Sequence, residues 1–368
     1  MALIPERFRD VHDVSSMLGA LDAVVGGRTS ARFAVMPADL DQAALSTDRT
    51  WHWDEWRVLL GDPYLALAVG RPESDQGAAG LPLDAPSVHD APVLFVTIYG
   101  GCCILSSAAG SGVFRRLHQT FLREEYPSVG RGFLDTSMVF EVLEGVAADN
   151  CCSGFVVRGC SYRAPIDAAA EDGAWESDRK WTQRTLENAS LYLAETKGWV
   201  RRIGFSFDWD EGEAGFCEAA GSLGRDAVVT ATSAVPVVWE QVVLRSAAIL
   251  SQEKETLQGR DRGNSYEFPL RPLKIRYGEP VFRDVAAAKF LVRQLRKLPD
   301  SSLSVYHGNP YLHVSLVDHL DGSSFAVWVV DAEEITILPG ARASASAFGR
   351  LIGHVLDQFR EGELIAHD

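Results

Sequence analysis

Apolar residues near the start of the chain recur at helical spacing: Val11, Val14, Leu18, Leu21 and Val25 share one face. Phe8-Arg9-Asp10-Val11 opens this helix, Asp10 is placed to cap it, and Gly26-Gly27 stops it. The spacing then shortens to that of strands, at Ala31–Met36, Leu65–Val69, Val93–Tyr99 and Cys102–Leu105. A Gly/Pro/Asp-rich loop over 70–92 separates the second strand from the third. Small residues over 106–112 lead into a helix whose apolar face is Phe114, Leu117, Phe121 and Leu122.

The last hundred residues repeat this order. Phe282-Arg283-Asp284-Val285 opens a helix with Val285, Leu291, Leu295 and Leu298 inward, and Pro299-Asp300 ends it. Strands follow at Leu303–Tyr306, Tyr311–Val317, Phe325–Val330 and Glu334–Leu338. Small residues at 341–347 then enter a helix with Phe348, Leu351, Ile352, Val355, Leu356 and Phe359 on one face. Both ends thus carry an FRDV helix, a strand, Asp/Asn-Pro-Tyr-Leu with its strand, two more strands and a Phe-x-x-Leu helix. The expected fold is α+β, built from internally duplicated modules of helix, four-stranded sheet and helix.

The middle reads as a third, more divergent copy. It has a helix at 136–148, a strand at 154–162, a charged insert from Glu171 with a helix over 177–196, strands at 200–207, 215–220 and 227–232, and a closing helix at 237–257. Glycine and charge at 259–264 mark a linker. The expected modules are therefore residues 1–127, 128–265 and 266–368. Their sheets either pair edge to edge or pack through helices.

Charge narrows the partners. The 368 residues carry a formal net charge of −15, which disfavours sequence-independent binding to nucleic acid or anionic lipid and suits a basic protein partner. No basic-then-apolar leader and no run of membrane-span length is present in the sequence, so a cytoplasmic protein is expected. Six cysteines, including the vicinal pairs Cys102-Cys103 and Cys151-Cys152, do not form a secreted disulfide pattern and are read as thiols in or beside strands.

Motifs with a fixed chemistry are missing from the sequence: there is no P-loop, no GxSxG and no HExxH. Neither a metal nor a cofactor is expected. Gly110, Gly112 and Arg115, at a strand-to-helix entry, can offer N–H groups and a guanidinium to an anion, although the small residues shared by both end modules there fit tight helix–sheet packing better. Arg201 and Arg202 read as solvated strand positions. The densest polar cluster is His307, Asn309, Tyr311, His313, Asp318 and His319, a set suited to proton transfer or metal binding if the fold brings it together. Trp51, Trp53, Asp54, Glu55 and Trp56 form an aromatic, acidic stretch of the kind that anchors interfaces, or that lies over a sheet as a lid.

These features favour a non-catalytic protein-binding or scaffold protein, such as an acidic inhibitor or immunity protein, or an accessory subunit of a bacterial defence or regulatory complex. The alternatives are an enzyme of unrecognised type using His307, Tyr311, His313, Asp318 and His319, and a small-ligand sensor with its pocket between modules.

Overall fold

The computed structural model describes residues 5–25, 29–39, 53–61, 64–70, 92–165, 174–212, 215–258, 272–308, 311–340 and 343–366. Gly26-Gly27 and the linker at 259–264 lie outside them. The described residues are α+β, with two antiparallel sheets. The first has ten strands, in the order β2 (Trp53–Gly61), β3 (Tyr64–Gly70), β4 (Val93–Tyr99), β5 (Cys102–Ser107), β1 (Ala31–Pro37), β10 (Val228–Ser233), β9 (Phe216–Gly224), β8 (Trp199–Asp210), β6 (Cys152–Pro165) and β7 (Ala174–Arg184). Strands of the first two expected modules thus join edge to edge where β1 pairs with β10, Phe33 opposite Val229. The second sheet has six strands, ordered β12 (Ser301–His307), β13 (Leu312–Asp318), β14 (Ser324–Val329), β15 (Glu334–Pro339), β11 (Leu273–Arg276) and β16 (Glu363–Ala366).

The two halves of the large sheet differ in burial, and their sequences show why. Strands β3, β4 and β5 are apolar almost throughout, because both of their faces are covered. One face packs Phe33, Leu67, Phe95 and Ile104 into a core with α1 (Val14–Asp22), α3 (Thr136–Ala147), α4 (Leu186–Thr196) and the helices after β10. The other packs Met36, Ala66, Leu94 and Leu105 under Phe114 and Phe121 of α2 (Ser111–Glu125). In β8 the pattern alternates instead. Ile203, Phe205 and Phe207 enter the main core, which leaves Arg202, Gly204 and Ser206 on the opposite face. That polar face is where the C-terminal unit docks.

The helix after β10 runs from α5 (Val235–Val238) through a π-helical turn (Trp239–Val243) into α6 (Leu244–Gln258). In the C-terminal unit, α8 (Ala345–Gln358) lays Phe348, Leu351, Ile352 and Val355 against the small sheet. Its other side, with Arg350, His354 and Asp357, turns toward the large sheet.

Several expectations change. The FRDV segments are not equivalent. Asp284 caps α7 (Val285–Leu295), accepting from the Ala286 and Ala287 N–H groups, whereas Asp10 lies in a turn and α1 begins at Val14. There Asp13 and Ser16 form a reciprocal capping box, which fixes the start three residues later. Residues 174–184 form strand β7, and the helix expected over 177–196 shrinks to α4. The middle strands run β7-β6-β8-β9-β10, whereas the two ends run β2-β3-β4-β5-β1 and β12-β13-β14-β15-β11.

Candidate functional site

A cleft of about 720 Å³ lies between the polar face of the large sheet and α8. Its floor is laid by the strand pairing. Gly204 stands opposite Ser222 and Gly159, and Arg202 opposite Ser161. The absence of side chains at Gly159 and Gly204 keeps the floor low while flanking residues rise above it. Arg115 of α2 forms one side, and Arg350, Gly353, His354 and Asp357 of α8 form the other. The segment between α2 and α3 supplies Arg131 and Phe133. This segment lies tight against the fold: a Cβ on Gly132 would collide with the Val35 carbonyl, and one on Gly353 would stand 3.1 Å from the Phe133 ring.

The cleft is basic although the chain is acidic. Arg115, Arg131, Arg158, Arg201, Arg202, Arg225 and Arg350 line it, against the carboxylates of Asp226 and Asp357. Two of the arginines hold the structure together. Arg350 donates from Nε (3.0 Å) and Nη2 (2.7 Å) to Oδ2 of Asp318, which also accepts from the Tyr126 hydroxyl. Arg225 is 4% exposed. Its Nη2 donates to Glu361 at 3.0 Å, its Nη1 lies 3.5 Å from Asp357, and its guanidinium lies over the Phe133 ring. Arg163 braces the same place, donating to the Asp357 carbonyl at 2.8 Å.

Arg158 donates from Nε to the Ser206 hydroxyl and from Nη2 to Glu218. Arg115, Arg131 and Arg202 make no hydrogen bond or ion pair among the described residues. Burial, followed by repulsion from Arg163, lowers the pKa of Arg201. Burial, followed by repulsion from Arg202, does the same to Arg32. Among the described residues Nε and Nη1 of Arg225 have no hydrogen-bond acceptor although both are buried, a state rare for buried polar groups. Like charges crowded beside unmet donors are suited to an anion, because guanidinium pairs with phosphate or carboxylate through two parallel bonds.

Of the residues singled out from the sequence, Arg115 lines this cleft. Gly110 is the N-cap of α2, and Gly112 lies in its first turn; neither forms the wall. Arg201 and Arg202, read as solvated positions, are wall residues. The His/Tyr/Asp set is not brought together. His307 pairs with His313 at one end of β13, while Asp318, 1% exposed, pairs with Ser301 at the other, about 17 Å along a strand. Asp318 is bound to Arg350 and Tyr126, His307 and His319 are exposed, and Tyr311 is 54% exposed. Asn309 lies outside the described residues. Among the described residues no group of three or more His, Cys, Asp or Glu is arranged to hold a metal.

Trp53 is 1% exposed and donates its indole N–H to Glu124 at 3.2 Å. It belongs to the core under α2, with Trp56 half-buried beside it at a ring distance of 6.3 Å. Trp51 and the side chains of Asp54 and Glu55 lie outside the described residues. The described cysteines are free thiols, with Cys102, Cys103 and Cys160 buried.

Among the described residues no helix is long and apolar enough to cross a membrane. The sequence matches no protein-family model and no curated protein.

Proposed function

We propose that the protein binds a small, multiply charged anion of nucleotide size in the arginine-lined cleft, and that it acts as a ligand-binding or sensor protein. The observation that carries this reading is the gathering of seven arginines around one cleft of a chain whose net charge is −15. Its volume is within the ordinary range for small-molecule sites. The cleft has walls from both the large sheet and the C-terminal unit, so an occupant touches both. Titration of the full chain with ATP and with inorganic tripolyphosphate tests the reading. Arg202→Ala and Arg158→Ala are each expected to weaken binding about tenfold, the loss of one charge-assisted hydrogen bond. Unchanged affinity in both variants refutes the assignment.

A second reading, protein binding, is favoured by the open face of the small sheet. There Tyr306 (67% exposed), His313 and Trp328 form a ladder with ring spacings of 5.1 and 5.4 Å, and exposed aromatic residues of this kind anchor interfaces. We also propose that residues 1–127 and 266–368 are related modules flanking a middle module at 128–265. Support comes from the matching strand orders of the two end units, each followed by a Phe-x-x-Leu helix, α2 or α8.

A further inference from the structure

We propose that a second, separate cavity, beside the C-terminal turns of α6, binds a small organic cation, an ammonium group on a short apolar stem. The cavity has a volume of about 180 Å³. It lies where α6 meets the segment after α2 and the start of α8, with Pro37, Pro127, Leu250 and Ile352 among its walls. A cavity of roughly 150 Å³ accommodates a six-carbon ring, so four to six heavy atoms fit.

Charged residues of both signs also line it, Asp39, Arg131, Glu253 and Lys254, and of these Glu253 has no compensating partner among the described residues. Glu253 lines the cavity and makes no hydrogen bond or ion pair among the described residues. The neighbouring cation does not neutralise it: Lys254 donates to the Ala38 carbonyl at 2.5 Å and lies 3.7 Å from Asp39. Burial, reinforced by the negative charge of Asp135, pushes the Glu253 carboxyl up to about 7. A carboxylate held this way gains from any donor that restores its charged form. An ammonium brings three N–H donors and a compensating charge, and its stem replaces water against proline and leucine. A neutral alcohol would supply no charge to compensate Glu253.

The cavity shares Arg131, Phe133 and Gly349 with the arginine-lined cleft as a common wall. Glu253 lines this cavity and not the cleft, so the inference does not rest on the anion reading. The test uses n-butylamine, cationic at neutral pH, followed by amide chemical shifts of the full chain at 0.15 M salt, where surface association is screened. Saturable shifts confined to Gly130, Leu250, Ile352 and their neighbours are expected. The neutral isostere 1-butanol is expected to bind about tenfold more weakly. Glu253→Gln should weaken the amine about tenfold and leave the alcohol unchanged, while Leu250→Phe, which fills the space, should abolish both. Arg202→Ala should leave amine binding intact even if it destroys anion binding. Equal affinity for amine and alcohol, undiminished amine binding by Glu253→Gln, or shifts scattered over the acidic surface would overturn the proposal.

Discussion

Replacing Arg225 by methionine removes the charge that joins the large sheet to the C-terminal unit. The side chain is 4% exposed and holds Glu361 at 3.0 Å and Asp357 at 3.5 Å. Glu361 is buried deeply enough that its pKa stays raised even with Arg225 beside it. Removing one partner of a buried ion pair costs about 3–5 kcal/mol, because the other charge is left uncompensated. The lost contact with the Phe133 ring, 4.7 Å from the guanidinium, adds about 1 kcal/mol. Against this, Nε and Nη1 already lack acceptors among the described residues, and methionine relieves about 1–2 kcal/mol of that burden. The expected net loss is about 3 kcal/mol, read as a lowered midpoint in urea unfolding. Adding Glu361→Gln to Arg225→Met should recover at least half, since glutamine keeps an acceptor for the Thr136 N–H, now at 2.8 Å, without a stranded charge. An Arg225→Met variant within about 1 kcal/mol of the parent, or a double variant with no recovery, refutes this account of the junction.

Other outcomes follow from the same contacts. Asp318→Asn should destabilise the chain by about 3 kcal/mol, measured by denaturant unfolding, because it strips the charge that Arg350 and Tyr126 share. His118 is buried and its pKa is depressed to about 4, so the unfolded chain binds the proton first. Stability should be full above pH 6.5 and fall by on the order of 3 kcal/mol as pH drops toward 4, and His118→Phe should flatten that limb. Glu253 has the opposite sign. Its raised pKa means stability falls as pH rises from 4.5 through about 7, so Glu253→Gln should gain most over the parent at pH 8. Native thiol labelling should proceed fastest at the exposed Cys151 and spare Cys102, which burial pushes up to about 12.

The sequence revealed most strands inside the sheets and the edge strand β12, and missed β2, β7, β11 and β16. Val93–Tyr99 and Cys102–Leu105 are apolar because both faces are buried, and they were read within two residues. Strands β2, β7 and β16 are edges, and β11 is a four-residue strand beside one of them. Edge strands carry charge and little alternation, as Ala174–Arg184 shows, so periodicity had nothing to register. The cleft was hidden for a different reason. Its arginines come from positions 115, 131, 158, 201, 202, 225 and 350, and antiparallel pairing over long separations leaves no local motif. One signal was present: Ile203, Phe205 and Phe207 inward oblige Arg202 and Ser206 to share the other face with Gly204. The His307–His319 cluster misled because proximity in sequence runs along β13, which sets its ends far apart.

The most direct test of the central claim is calorimetric titration of the full chain with inorganic tripolyphosphate at low and at physiological salt. The cleft predicts one saturable site per chain, with affinity falling as salt rises, since guanidinium–phosphate contacts are screened and displace counterions. Absence of saturable binding at low salt, or weak binding to many equivalent sites, would contradict it.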